Sequence, residues 1–375
     1  MVGVNPGSNN AIRADVAIAG GGIIGVALGL ELRLRGASVT VLERDQAMRA
    51  ASWAAGGMLA VEDPQNPPLL MDLARLSARL YPEWLQRIEE LSGLRVPMRT
   101  QQALQWVGPA DLKSLARDGI ATAEEIHDLA PGLHEEGPRF RLIQEGSVDP
   151  RDLCAALPRA FVAAGGRLVE ACGVTGISQA DNEVRVHTAS GTFVAGHFVN
   201  CCGAWAGAAI EGLANLPVEP VKGQMVELHC APDRLRCVVR APNVYLIPRG
   251  DGRVTVGATI EHVGFDDDVD DGAISGLVQT AQKLLPDLRS QQPIKSWAGL
   301  RPGTPDGLPV MGPALDSRGE NKPPRCWHAT GHYRDGILLA PATARVMAQT
   351  VTGDRTAIAL DAFAPARFTP ALPQG

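Results

Sequence analysis

Among the 375 residues there is no Cys-x-x-Cys pair, no long apolar run, no internal repeat and no excess of basic charge. Each absence removes a class of protein. A membrane span needs about 18 uninterrupted apolar residues, and no window approaches that. The net charge of −6 gives no electrostatic reason to expect nucleic acid or an anionic membrane as a partner. Seven cysteines (Cys154, Cys172, Cys201, Cys202, Cys230, Cys237, Cys326) are an odd set and read as reduced thiols of a cytoplasmic protein. The polar start, MVGVNPGSNNAIRAD, lacks the apolar stretch of a secretion signal and is expected to be a loose tail. The acidic run DDDVDD (Asp266 to Asp271) lacks the spacing and closing glutamate of an EF-hand, so a solvated loop is expected there. No metal is expected either. His328 and His332 are four residues apart, but Gly331 interrupts any helix that would align them.

What is present is ordinary for a soluble globular chain: 45% hydrophobic and 20% charged residues, over a length that suits two domains, consecutive or interleaved. The strongest local signal is DVAIAGGGIIGVALGLELRLRGASVTVLERD. Its pattern predicts a strand over 15–19, a helix over 23–34 stopped by Gly36, and a second strand ending at Glu43. Gly20, Gly22 and Gly25 form G-x-G-x-x-G between strand and helix. Gly20 suits the tight turn, Gly22 the close approach of a pyrophosphate, and Gly25 close packing of helix on strand. The helix N-terminus favours phosphate charge, and Glu43 stands where an acid accepts from a ribose hydroxyl. The motif does not separate FAD from NAD. After it comes a run of small residues (Ala50, Ala51, Ser52, Ala55, Gly56, Gly57), which is either backbone lying along an extended cofactor or a flexible linker.

Further on, the apolar spacing predicts helices over 71–91 and 151–165, then strands through GRLVEACGVTGIS, EVRVHTAS and TFVAGHFVNCC. A second group of strands, GQMVELHC, RCVVR, VYLIPRG and RVTVGATI, suggests a separate antiparallel sheet. Tyr245, one of three tyrosines, lies in it and reads equally as a core residue. GLRPGTPDGLPVMG (299–312) reads as a rigid turn carrying Arg301, because proline fixes φ and glycine opens positive φ. CWHATGHYRDGILLAPATARVMAQTVTG reads as strand, loop and a helix from about Gly336. That helix would aim its N-terminus at the nucleotide domain, where it could stabilise charge on a reduced flavin.

Together, AGGGIIG, AAGGML, VKGQMVEL, VYLIPR, VGATI, WAGLRPGTPDG and GHYRDGILLAPAT resemble the glycine oxidase branch of the D-amino-acid oxidase family, associated with thiamine biosynthesis. The resemblance runs from about Asp15 to Phe363. It implies an α/β fold: a glutathione-reductase-like Rossmann FAD-binding domain (14–61, 149–218, 297–365) and a second α+β substrate domain built on an antiparallel sheet (62–148, 219–296). Residues 1–13 and 366–375 would be tails. It implies noncovalent FAD, since no cysteine stands near Arg301, the position that carries one in covalent-flavin relatives. It places Gly20, Gly22, Ile23, Ile24, Gly25, Glu43, Arg44, Ala51, Ser52, Gly56, Gly57, Met58 and Val174 against the cofactor. His332, Tyr333, Arg334, Asp335, Gly336, Ile337 and Leu338 would line the flavin. Arg301, Tyr245 and Arg334 would bind the substrate. The implied reaction is oxidation of glycine, sarcosine or a small D-amino acid by hydride transfer to flavin N5, with no acid or base residue. Dioxygen would be the electron acceptor and hydrogen peroxide a product. A dehydrogenase using another acceptor is the alternative. Asn243 and Ile260 depart from the family's pocket and leave the preferred amine open. Relatives suggest a homotetramer.

Overall fold

A computed structural model describes residues 12–108, 119–133, 139–180, 182–208, 210–289, 291–314 and 324–368. The expected tails therefore lie almost wholly outside the described residues.

The chain opens with β1 (Ile12–Ala19), α1 (Ile23–Leu34), β2 (Val39–Leu42) and the single turn α2 (Ala51–Ala54). Next come α3 (Met71–Ser92), β3 (Met98–Thr100), β4 (Ala103–Trp106) and α4 (Ala123–Leu129). Then follow β5 (Phe140–Ile143), β6 (Ser147–Val148) and α5 (Pro150–Ala163). After β7 (Arg167–Val169), a meander is built from β8 (Val174–Gln179), β9 (Val184–Thr188) and β10 (Gly191–Asn200). A second group comprises β11 (Glu219–His229), β12 (Val238–Ala241), β13 (Val244–Pro248), β14 (Arg253–Gly257), α6 (Asp271–Leu284) and β15 (Lys295–Gly303). The chain closes with β16 (Val310–Pro313), β17 (Cys326–Thr330) and α7 (Gly336–Thr352).

Two large sheets organise these elements, and β3 and β6 pair apart from them as a two-stranded antiparallel sheet. The first runs β16-β17-β10-β1-β2-β7, parallel from β17 to β7, with β9 and β8 added antiparallel on β10. Its strands are apolar on both faces because helices α1, α3, α5 and α7 cover one side and the β8–β9 hairpin the other. The second runs β15-β11-β14-β13-β12-β4-β5, antiparallel except for the β12–β4 pair. It packs on α6 through a core of its own.

Three sequence expectations are refined. Helix α3, expected with the substrate sheet, packs on α5 and α7 in the first sheet's helical layer. Its buried Leu73, Ser77, Tyr81, Leu85 and Ile88 repeat at helical spacing, so the apolar stripe itself was legible. The stretch 299–312 is not a single turn. Gly299 to Gly303 continue β15, and only Thr304–Gly307 turns before β16. β15 is an edge strand, so the missing N–H of Pro302 costs no ladder bond. The acidic run is exposed as expected, but its end is helical. Asp270 caps α6 by accepting from the Ala273 N–H, and Asp271 opens the helix.

Candidate active site

A cavity of about 1430 Å³ runs between the two sheets, from the glycine-rich turn after β1 to the face of the antiparallel sheet. That exceeds the ~300–1,000 Å³ of ordinary small-molecule pockets and suits an extended ligand. Every residue assigned to cofactor or substrate from the sequence lines it, except Gly25 and Leu338. Leu338 is buried in the helical core instead.

At the first end, Gly20 has φ +102°, and a Cβ there would overlap the Cys201 carbonyl. A side chain at Gly25 would overlap the Gly20 carbonyl, so helix and strand can meet this closely only without one. The Glu43 carboxylate accepts from Gly21 N–H at 2.6 Å and from Asp45 N–H at 3.0 Å. It is thereby fixed at the rim with lone pairs to spare. Ser52, from α2, accepts from Ile23 N–H at 2.9 Å. The next two amides of α1, Ile24 and Gly25, have no acceptor among the described residues, which leaves the helix N-terminus open to an anion. Arg44 lies 3.8 Å from the Trp205 ring centroid, and Trp205 stacks on Phe265. These features fit a dinucleotide: a side-chain-free turn, unpaired helix amides, an acid at the second strand and a long cavity. The thiols of Cys201 and Cys202 also line this end. Burial pushes Cys202 up to about 12 and Cys201 well above its ordinary value. Both are protonated and poor nucleophiles.

At the other end, the antiparallel sheet presents Arg301 and Tyr245. Arg301, on β15 opposite Val221, lays its guanidinium against Gly223 of β11, where any Cβ would overlap it. Its Nη1 donates to the carbonyls of Thr259 at 3.1 Å and Lys222 at 3.3 Å. It makes no ion pair with a described residue. Tyr245 crosses Gly257 in the same way, with its ring where a side chain would be. Burial raises the Tyr245 hydroxyl, with Arg301 acting in the opposite direction, so it stays a proton donor. The result is an uncompensated guanidinium and a phenol side by side in a cavity, a receptor for a carboxylate.

The loop between β17 and α7 closes the site. Tyr333, at φ +46°, donates its N–H to Pro302 O at 3.0 Å, which ties this loop to the Arg301 strand. Arg334 is engaged by the segment after α2: it donates to Gln65 Oε1 and stands 3.9 Å from Asp63 Oδ2. Asp335 is the N-cap residue of α7, but its carboxyl caps no amide. Burial pushes it up to about 7, against the pull of Arg334. His332 shares a 3.0 Å hydrogen bond with Thr343 and burial holds it down to about 3. His328 is buried with neither ring nitrogen partnered, and no group able to hold a metal occurs among the described residues.

Residues that sequence reasoning passed over include Asp63, Gln65, Thr259 and Arg249. None belongs to a short motif with a known mechanism; Gly223 could have been suspected from its place inside a strand pattern.

A family model described as FAD dependent oxidoreductase matches residues 15–350. The chain belongs to that family. This oxidoreductase is 36% identical over 370 residues to the glycine oxidase of Pseudomonas aeruginosa, covering 94% of this chain and 98% of the relative. It is 37% identical to the bifunctional protein ThiO/ThiG of Synechocystis sp., covering 95% of this chain and 54% of that longer protein. Among solved structures, glycine oxidase from Geobacillus kaustophilus superposes with a TM-score of 0.86 at 34% identity, over 95% of this chain and 99% of the other. The α/β fold, the FAD cofactor and the resemblance to the glycine oxidase branch expected from the sequence are borne out. No helix among the described residues is long and apolar enough to cross a membrane.

Proposed function

We propose that this oxidoreductase oxidises glycine and other small amines, among them sarcosine and small D-amino acids, in a step that serves thiamine biosynthesis. The observation that carries the reading is Arg301: a guanidinium facing the cavity with two backbone carbonyls on one nitrogen and no carboxylate of its own. Names of relatives add glycine as the amine and ThiO as the setting.

FAD, when bound, supplies the acceptor of a hydride from the substrate Cα. The chain's own task is orientation. Arg301 grips the carboxylate with its free N–H groups, and Tyr245 donates a second bond. Arg334, neutralised by Asp63, borders the same space. With the carboxylate fixed, Cα has one place to go, and such positioning can supply several kcal/mol of the barrier. No side chain needs to move a proton once the amine enters neutral. The imine then takes up water to give the oxo acid (glyoxylate from glycine) and ammonia. Dioxygen takes the two electrons and two protons and leaves as hydrogen peroxide. The absence of a cysteine in the sequence around Arg301 supports noncovalent FAD.

The test is anaerobic mixing of the FAD-loaded protein with glycine, followed by air. Bleaching of the yellow colour, its return with air and one peroxide per turnover are expected. A flavin that glycine does not bleach overturns the reading. Acid should release FAD from the precipitated protein.

A further inference from the structure

One buried cation has no part in the chemistry above. Arg249 follows β13 and is 1% exposed, among the largest fully buried side chains of the chain. Its guanidinium makes no ion pair with a described residue. Asp149 and Glu227 act on it only at longer range. Its donors go to three separate segments: Nε to Thr255 Oγ1 at 3.1 Å, Nη1 to Val148 O at 3.1 Å, and Nη2 to Gly56 O at 3.0 Å. Burying a charge without a counter-ion is costly, and a neutral side chain could fill the volume.

The Gly56 carbonyl shows what the charge does. Gly56 and Gly57 form a wall of the cavity. A Cβ on Gly56 would stand 2.8 Å from Ile247 Cδ1, so the wall lies directly against the antiparallel sheet. Gly57, at φ +83°, accepts at its carbonyl from Val148 N–H at 2.9 Å. A trans peptide is planar, with its C=O and N–H on opposite sides. With Gly56 O turned to Arg249, the Gly57 N–H is turned the other way. It meets no acceptor among the described residues, and unpaired buried amides are rare.

We infer that Arg249 is a positioning residue for the oxidation: it locks the Gly56–Gly57 peptide so that the Gly57 N–H is presented to the flavin ring as a hydrogen-bond donor. The inference rests on the ring lying along this wall, as in the function proposed above. A donor held in place at the ring favours the electron-rich reduced state, because the bond strengthens as charge develops on its acceptor. Lysine at 249 would keep the charge but gathers its donors on one nitrogen and lacks the planar fork that reaches three segments at once.

The experiment uses the FAD-loaded protein and its Arg249→Met and Arg249→Lys variants. The readouts are the flavin midpoint potential, the visible spectrum and the half-saturation of flavin reduction by glycine. Both variants should retain FAD and show an altered flavin spectrum. The equilibrium constant for two-electron reduction should fall about tenfold in each, a drop of about 30 mV. Half-saturation by glycine should change little, because Arg301 and Tyr245 are untouched. Potentials and spectra equal to wild type would reduce Arg249 to a structural tie. Recovery of the wild-type potential by lysine alone would show that charge, and not placement of the peptide, matters. Should Arg249→Met fail to fold, amide exchange in the wild type decides. The Gly57 amide must be protected on loading with FAD, and an unchanged exchange rate overturns the inference. Wild-type bleaching by glycine tests the function separately, so the two can fail independently.

Discussion

At the scale of single residues, the carboxylate receptor depends on two side chains, Arg301 and Tyr245, and on the glycines beneath them, Gly223 and Gly257. Lysine in place of Arg301 keeps the charge and loses the planar fork. Arg301→Lys should therefore raise the half-saturation of flavin reduction by glycine at least about tenfold and slow the reduction itself, because misplaced Cα also harms transfer. FAD content should stay near wild type. Stopped-flow reduction without oxygen gives both quantities, and wild-type values for the variant would remove Arg301 from the substrate site. Gly223→Ala makes the same point without touching a polar group. The added methyl would meet the guanidinium end of the long Arg301 side chain and push it from its place. We expect a folded, yellow protein of near-normal melting temperature whose half-saturation by glycine rises. A normal half-saturation would mean that the guanidinium does not need that surface.

At the scale of elements, α7 shows how a helix start is assembled from remote parts. Pro341 has no N–H, so the Ile337 carbonyl loses its helical partner. Tyr81 of α3 donates to it at 2.8 Å, and Ser77 donates to Leu338 O at 2.6 Å. Tyr81→Phe leaves that carbonyl buried and unpaired and should cost about 1–3 kcal/mol in chemical denaturation. A loss below about 0.5 kcal/mol would show that the carbonyl finds another partner. The same helix start carries Asp335, whose carboxyl ionises at about 7 in the folded chain against an ordinary 3.8. Between those values the folded chain holds a proton that the unfolded chain has released. Its contribution to stability therefore falls as pH rises through that window. Without FAD, Asp335→Asn should lose stability less steeply than wild type from pH 4 to 7 in urea titrations. Parallel curves would show that Asp335 ionises normally. Arg334, Asp63, Arg240 and Glu145 are the charges acting on it, and all remain in the variant.

At the scale of the molecule, a charge cluster around a buried glutamate joins the antiparallel sheet to α5, in the helical layer of the first sheet. Glu227 of β11, 1% exposed, is held by Arg151 at 3.2 Å, Lys295 at 3.3 Å and Arg253 at 3.4 Å. Arg151, at the start of α5, lies against both Trp53 of α2 and Trp297 of β15, 4.6 Å and 4.5 Å from their ring centroids, and the two rings meet edge to face. The cofactor-facing α2 is thus tied to α5 and to the antiparallel sheet at one point, and Trp297 Nε1 donates to Ala54 O at 3.0 Å. Glu227→Gln leaves three cations around a neutral group. Removing one partner of a buried pair costs about 3–5 kcal/mol, and we expect a loss at the lower end because the cations are partly exposed. Equilibrium denaturation checks it; a loss within about 0.5 kcal/mol would show that the cluster does not hold α5 to the sheet.

The sequence alone determined those features that rest on local periodicity and on backbone shape. The β1–turn–α1–β2 unit was readable because strand, glycines, helix and terminal acid follow one another without a gap. The strand groups and the amphipathic stripe of α3 were readable for the same reason. Only the tertiary structure decided which layer α3 joins, since a stripe specifies that a face is buried and not against what. It also decided that Arg301 is held by sheet register and by the absence of a side chain at Gly223, far from it in the chain. Arg249 was invisible in the sequence because its partners are backbone carbonyls, which every residue has. Their convergence on one guanidinium exists only after the two sheets have closed on each other.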